Sequence, residues 1–285
     1  MNTSLRIRLL TREDLPFADS VRALAGWNQT IGDWERFLAA EPDGCFLAEW
    51  NGAPAGTATT TVYGSTLAWI GMVLVHSDFR RRGIGRALLE RCIEHLHERG
   101  VRCIKLDATP AGKIVYDGLG FKHEWTLTRW EHAAADWPKA ETISGIRNCR
   151  DVDAVEQLDA AAFGVSRRRI LEPLMKQSRC TLVCESESGK VVGYGLLRNG
   201  SSALYLGPVV AASVAAGVSL VKKLLARAGD RKIYWDIPDQ NTDAAELARE
   251  LGFSPQRTLT RMYLGDNSTP GDPLQQFAIA APEQG

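Results

Sequence analysis

The chain has 285 residues, 34 basic and 34 acidic side chains and 45% hydrophobic content. Divided at residue 140, each half carries 17 charges of each sign, which argues against a basic nucleic-acid-binding arm or an acidic tail. No apolar run approaches the ~18 residues of a membrane helix, and the opening MNTSLRIRLLTRED lacks the apolar stretch of a signal peptide, so the expectation is a cytoplasmic protein without a membrane partner.

The pattern predicts a short strand over Arg6 to Leu10, then a helix capped by Thr11 with Glu13 and Asp14 at its positive end. Asp33 to Ala40 reads as helical. Cys45 to Trp50 and Ala55 to Tyr63 read as strands around an Asn51-Gly52 hairpin turn, with an apolar strand from Leu67 to His76. From Gly83 to Arg99 the apolar residues Ile84, Leu88, Cys92 and Leu96 recur every four, a helix that Gly100 ends. A strand over Cys103 to Asp107, a helix over Lys113 to Leu119 and a strand over Glu124 to Trp130 complete the half. The fold class is α/β, a mixed α+β sheet with helices on its faces.

The six cysteines are scattered among apolar segments and the five histidines form no ligand cluster. Neither is read as a metal site, and the cysteines are read as reduced and buried.

A second copy follows the first. Leu119-Gly120-Phe121, then Thr126-Leu127-Thr128-Arg129, returns 132 residues later as Leu251-Gly252-Phe253 and Thr258-Leu259-Thr260-Arg261. Looser matches precede these, among them Cys45-Phe46-Leu47 with Cys180-Thr181-Leu182. The predicted division is 1–135, 136–265 and a tail 266–285, with the junction near 133–138. The tail, rich in Pro, Gly, Asn, Gln and Ala, is expected to be poorly packed or draped over the surface.

The segment Val73-Leu74-Val75 running into Arg80-Arg81-Arg82-Gly83-Ile84-Gly85-Arg86 carries the strongest chemical signal. A strand enters a glycine-bearing turn that opens a helix. The first helical N–H groups lack intrahelical partners and sit at the positive end of the dipole. Gly83 and Gly85 let the backbone approach a pyrophosphate, and the arginines add charge. The pattern is distinct from the P-loop and from Gly-x-Gly-x-x-Gly.

This turn, with Tyr116-Asp117-Gly118-Leu119-Gly120-Phe121 downstream, resembles the acetyl-CoA motif of the GCN5-related N-acetyltransferase (GNAT) superfamily. Together with Gly26-Trp27-Asn28-Gln29 and Asp107 to Gly112, it is similar to a bacterial tandem-domain type. The resemblance covers residues 5–131 well and the second half weakly. It implies two tandem GNAT-like acyl-CoA N-acyltransferase domains and acetyl-CoA as co-substrate. It further implies backbone contacts from Val73, Leu74 and Val75 to the pantetheine arm, a pyrophosphate held by residues 80–86, and Tyr116 as general acid. Thr109 stands where the family often has Asn.

The base is open. Asp107 is one candidate, directly or through water, with a structural cap as its alternative; His76, His123 and a water relay to the backbone are others. The second copy has Val209 to Ser219 in place of the turn and Ala248 in place of Tyr116, so it reads as catalytically silent. Trp27, Asn28, Trp34, Trp69, Tyr205, Trp235 and Asp236 are candidate cleft residues. The expected activity is transfer of an acetyl group to a primary amine of a small molecule by a monomer or homodimer. A non-catalytic acyl-CoA sensor and a protein N-acetyltransferase are the alternatives.

Overall fold

The computed structural model describes residues 4–134, 137 and 145–285. Of the predicted junction over 133–138, residues 135, 136 and 138 lie outside the described residues. The first copy runs β1 (Leu5–Leu9), α1 (Leu15–Leu24), α2 (Ile31–Ala40), β2 (Cys45–Trp50), β3 (Ala53–Tyr63), β4 (Leu67–Val75), α3 (Ile84–Glu98), β5 (Cys103–Ala108), α4 (Pro110–Asp117) and β6 (Lys122–His132). The second runs β7 (Ile146–Asn148), α5 (Glu156–Phe163), α6 (Arg168–Gln177), β8 (Cys180–Glu185), β9 (Val191–Arg198), β10 (Leu204–Ala211), α7 (Val214–Leu225), β11 (Ile233–Pro238), α8 (Thr242–Glu250) and β12 (Ser254–Gly265). A short strand, β13 (Gln276–Ala278), follows.

Local chemistry accounts for these boundaries. Asn51 and Gly52 have φ of 51° and 82°, the two positive values a tight β-hairpin turn needs. Thr30 and Asp33 form a reciprocal capping box on α2. In α3 the buried side chains Ile84, Leu88, Cys92 and Leu96 form one stripe against the sheet, and Gly100 adopts φ 72° just beyond it.

The mixed sheet is continuous across both copies, in the order β1-β2-β3-β4-β5-β12-β6-β11-β10-β9-β8-β7, with β13 added beside β10. The copies have exchanged their last long strands. β12 pairs with β5 of the first copy, and β6 pairs with β11 of the second. At the centre β6 and β12 run antiparallel with Leu127 opposite Leu259, Thr126 opposite Thr260 and Thr128 opposite Thr258. These partners are the repeated residues, so the repeat relates the two strands by a pseudo-two-fold axis through the leucine pair.

The repeated arginines lock the exchange. Arg261 donates through Nε and Nη2 to both oxygens of Asp107, at 2.9 and 2.8 Å. Arg129 donates likewise to Asp236, at 2.7 and 2.6 Å. Each pair sits directly opposite on neighbouring strands and is buried. Bidentate pairing satisfies charges that would be costly to bury alone.

The segment after β12 corrects the expectation of a surface tail. Phe277, Ala278, Ile279, Ala280 and Ala281 are buried, as are Glu283 and Gln284. β10 and β11 are parallel neighbours only over Leu204–Leu206, after which β13 pairs with Val209 and Val210. Phe277 packs on Gly217 so closely that a Cβ there would fall 2.5 Å from its ring. The apolar run outweighs the polar composition around it because a core groove is available to take it.

Candidate active site

The equivalent splay in the first copy opens onto a cavity. β4 and β5 pair in parallel only at Leu67–Cys103, Ala68–Ile104 and Trp69–Lys105, then diverge. Met72 has φ 50° at an irregularity in the pairing with β3, and Thr57 Oγ1 donates to its carbonyl at 2.9 Å. Such a bulge re-aims a strand beside a site. The divergence leaves a cavity of about 200 Å³ lined by Val73, Val75, Gly85 and Leu106 along the β4–β5 splay. Leu74 does not line it; its side chain is buried on the α1–α2 side.

The glycine turn closes one end of the splay. Arg81 has φ 60° and Gly83 φ 79°, which turns successive backbone amides toward one side. Arg80, Arg81 and Arg82 are exposed, and α3 begins at Ile84 with no acidic residue in its first turn. Arg80 Nε donates to the Val75 carbonyl at 3.2 Å, Arg82 to the Asp78 carbonyl at 3.2 Å, and Arg86 pairs with Glu90 at 2.8 Å. Arg82 also lies over the Trp50 ring, 5.4 Å from its centroid. Free helix amides, a left-handed glycine and clustered cations fit a pyrophosphate.

Thr109 caps α4, accepting from the Gly112 amide at 3.1 Å. The helix presents Tyr116 to the cavity. Gly112 makes room for it: a Cβ there would lie 3.0 Å from the ring. Burial pushes the Tyr116 phenol up to about 12, so it holds its proton at neutral pH.

Asp107 also lines the cavity, but Arg261 occupies both its oxygens. Burial raises its pKa and the Arg261 charge opposes this. Arg261 is held between the rings of Trp69 and Trp125, 4.5 and 4.0 Å from their centroids. This geometry favours the structural reading of Asp107. His76 caps a 3-10 turn after β4, and His123 is exposed on β6; neither lines the cavity.

Sequence reasoning missed Glu283. It lines the cavity at the wall formed by the last segment, is 5% exposed, and accepts from Gln29 Nε2 at 2.7 Å. Burial pushes its carboxyl up to about 7, helped by the charge of Asp33 and opposed by Arg198. Gly71 lets the segment pass: a Cβ there would fall 2.5 Å from the Glu283 carbonyl. The available signal was the apolar run Phe277 to Ala281, which reads as a buried strand ahead of an acid.

The candidate substrate residues separate. Trp27 lines the cavity, beside Gln29, Arg257 and Leu259. Asn28 ties the copies together: its Oδ1 accepts from the amides of Ser202 and Ala203 at 3.0 Å each. Trp69 and Trp235 are buried and do not line the cavity, a correction to the cleft reading. Their indole N–H groups hold the last segment, donating to the carbonyls of Pro282 at 2.9 Å and Phe277 at 2.7 Å. Trp34 is core, and Tyr205 donates to Asp236 at 2.9 Å. In the second copy Ser213 caps α7, and no glycine turn precedes it.

Comparison with known proteins agrees with this architecture. Residues 9–121 match the acetyltransferase (GNAT) family model, and residues 155–278 match a second acetyltransferase (GNAT) domain model. The uncharacterized N-acetyltransferase YitH of Bacillus subtilis is 28% identical over 191 residues, 66% of each chain. The holothin acyltransferase of a Pseudoalteromonas species is 25% identical over 263 residues, 91% of this chain and 87% of that one. A crystal structure of a putative acetyltransferase from Pyrococcus horikoshii aligns with TM-score 0.85 at 27% identity, covering 99% of this chain and 96% of that one. No described helix is long and apolar enough to cross a membrane. With both halves matched and the exchanged strands joining them, the chain belongs to the GNAT superfamily of acyltransferases as a tandem-domain member.

Proposed function

We propose that the first copy transfers an acetyl group from acetyl-CoA to the primary amine of a small molecule, with Glu283 as general base and Tyr116 as general acid. The observation that carries this is the presence of both groups on the wall of one cavity at the end of the β4–β5 splay.

The backbone of Val73 and Val75 lines the splay for the pantetheine arm, and the amides from Arg81 to Arg86 with Gly83 take the pyrophosphate. Acetyl-CoA bound there supplies a thioester carbon open to attack and a thiolate leaving group. Glu283 takes one proton from the acceptor ammonium, which frees its lone pair for the new C–N bond. Tyr116 gives its hydroxyl proton to the departing sulfur as the C–S bond breaks, and the tyrosinate recovers a proton from the nitrogen, which sheds its second proton as the amide forms. A carboxyl pushed up to about 7 is well matched to accept a proton near neutrality. Pro282 and Glu283 of the last segment, with Arg257 and Leu259 of β12, wall the cavity from the second copy's side, which suits a small acceptor better than a peptide.

In the second copy β13 occupies the equivalent splay, so we assign one acetyl-CoA per chain. The test is thiol release from acetyl-CoA with a panel of amines, comparing the wild type with Tyr116→Phe. We expect turnover and a loss of ~10²-fold or more in the variant. Tight cofactor binding without turnover on any amine would instead support the acyl-CoA sensor.

A further inference from the structure

The cavity holds a second charged group that the transfer chemistry leaves unused. Arg257, on β12, lines the same wall as Glu283, Gln29 and Trp27. Its Nε is sealed from solvent without a hydrogen-bond partner, and no carboxylate pairs with it among the described residues. The neighbouring acids are engaged. Asp107 is held by Arg261, Asp236 by Arg129 and Tyr205, and Glu131 by Lys232 and Gln256. A guanidinium with a buried, unsatisfied N–H is costly unless a ligand completes it. Burial and the nearby charge of Arg129 lower the pKa of Arg257, while Asp236 and Glu283 act in the opposite sense.

Gln29 contributes a second unsatisfied atom. Its amide nitrogen is spent on Glu283, and its buried Oε1 has no donor. The wall therefore presents a carboxyl and an amide oxygen, which accept from an ammonium, beside a guanidinium, which donates to an anion. Glu283 and Arg257 belong to different elements, so the cavity is lined by two groups of opposite charge together with apolar Leu259 and Trp27.

We propose that the acceptor is an amine that also bears a carboxylate, an amino-acid-like molecule whose ammonium is met by Glu283 and Gln29 and whose carboxylate pairs with Arg257. This rests on the transfer reading above and specifies its substrate class. It also assigns a function to the strand exchange: β12 carries the second copy's Arg257 into the first copy's acceptor site. The planar fork of Arg suits a carboxylate better than the point charge of Lys.

The experiment uses the full chain with acetyl-CoA and follows thiol release for L-amino acids with apolar side chains. Each is measured beside its C-terminal amide and its decarboxylated amine. For the wild type we expect kcat/KM to favour the carboxylate form by about 10- to 100-fold, the usual range for a charge-assisted pair. Arg257→Gln should bring the ratio close to one, and Arg257→Lys should restore part of it. Melting curves establish that both variants are folded. A wild-type ratio of one, or a ratio unchanged in Arg257→Gln, would overturn the proposal. If no amine of any kind is turned over, the transfer reading fails, and calorimetry with CoA present decides recognition separately. N-acetylated amino acids binding the wild type better than their amides, with the difference lost in Arg257→Gln, would sustain it; equal affinities would overturn it.

Discussion

Replacing Glu283 by Gln tests a buried group through two independent readouts. The side chain keeps its shape and an oxygen for Gln29, but loses its charge. In the folded protein the carboxyl is pushed from its ordinary 4.5 to about 7. The protonated form therefore contributes stability that is fully present below pH 4.5 and lost as pH rises through 7. Ionising the group above pH 7 costs about 3 kcal/mol at most, falling to about 1 kcal/mol at pH 5. Urea unfolding should accordingly show Glu283→Gln gaining about 2 kcal/mol on the wild type between pH 5 and pH 8.5. Over the same range the wild-type kcat/KM should rise with pH and level off near 7, reporting the free enzyme's base. Glu283→Gln should lose that limb and fall by ~10²- to 10⁴-fold. A stability difference independent of pH would refute the burial argument. A variant that kept the wild-type rate and limb would refute the catalytic one.

The remaining predictions concern cofactor binding and the exchanged strands. Gly83→Glu places a side chain at φ 79° and a negative charge at the start of α3, so acetyl-CoA affinity should become unmeasurable by calorimetry; unchanged affinity would remove the turn from the binding site. Arg261→Ala leaves Asp107 buried without its partner. It should cost about 3–5 kcal/mol and lower the melting temperature by roughly 10 °C or more. Adding Asp107→Asn should recover part of the loss, and a single-variant loss below about 1 kcal/mol would contradict the lock.

Much of the first copy was legible because its signals are local. The hairpin turn needs only Asn51-Gly52, the α3 stripe only its spacing, and the glycine turn before α3 only residues 80–86. The repeat was legible too, but not its meaning. Thr126 to Arg129 and Thr258 to Arg261 are identical, so either strand satisfies the same alternation and local pattern cannot say which copy receives it. Only the cross-strand pairs Asp107–Arg261 and Asp236–Arg129 reveal the exchange. Asp107 showed the same limit: its place after a strand suggested a base, and a residue 154 positions away had claimed both its oxygens. Composition misled at the last segment. Its Pro, Gly and Gln content suggested loose chain, yet five apolar residues fill the β10 splay and set Glu283 on the cavity wall. Trp69 and Trp235 were expected as cleft walls and act one layer beneath, by clamping that segment.

The central claim is that one acetyl-CoA binds in the first copy with its thioester between Tyr116 and Glu283. A crystal structure of the full chain with CoA tests it most directly. The account predicts one CoA per chain, its pyrophosphate on the amides of residues 81–86, its pantetheine between β4 and β5, and its sulfur within reach of the Tyr116 hydroxyl on the side facing Glu283. CoA in the second copy's β10 splay, or a sulfur directed away from both side chains, would contradict it.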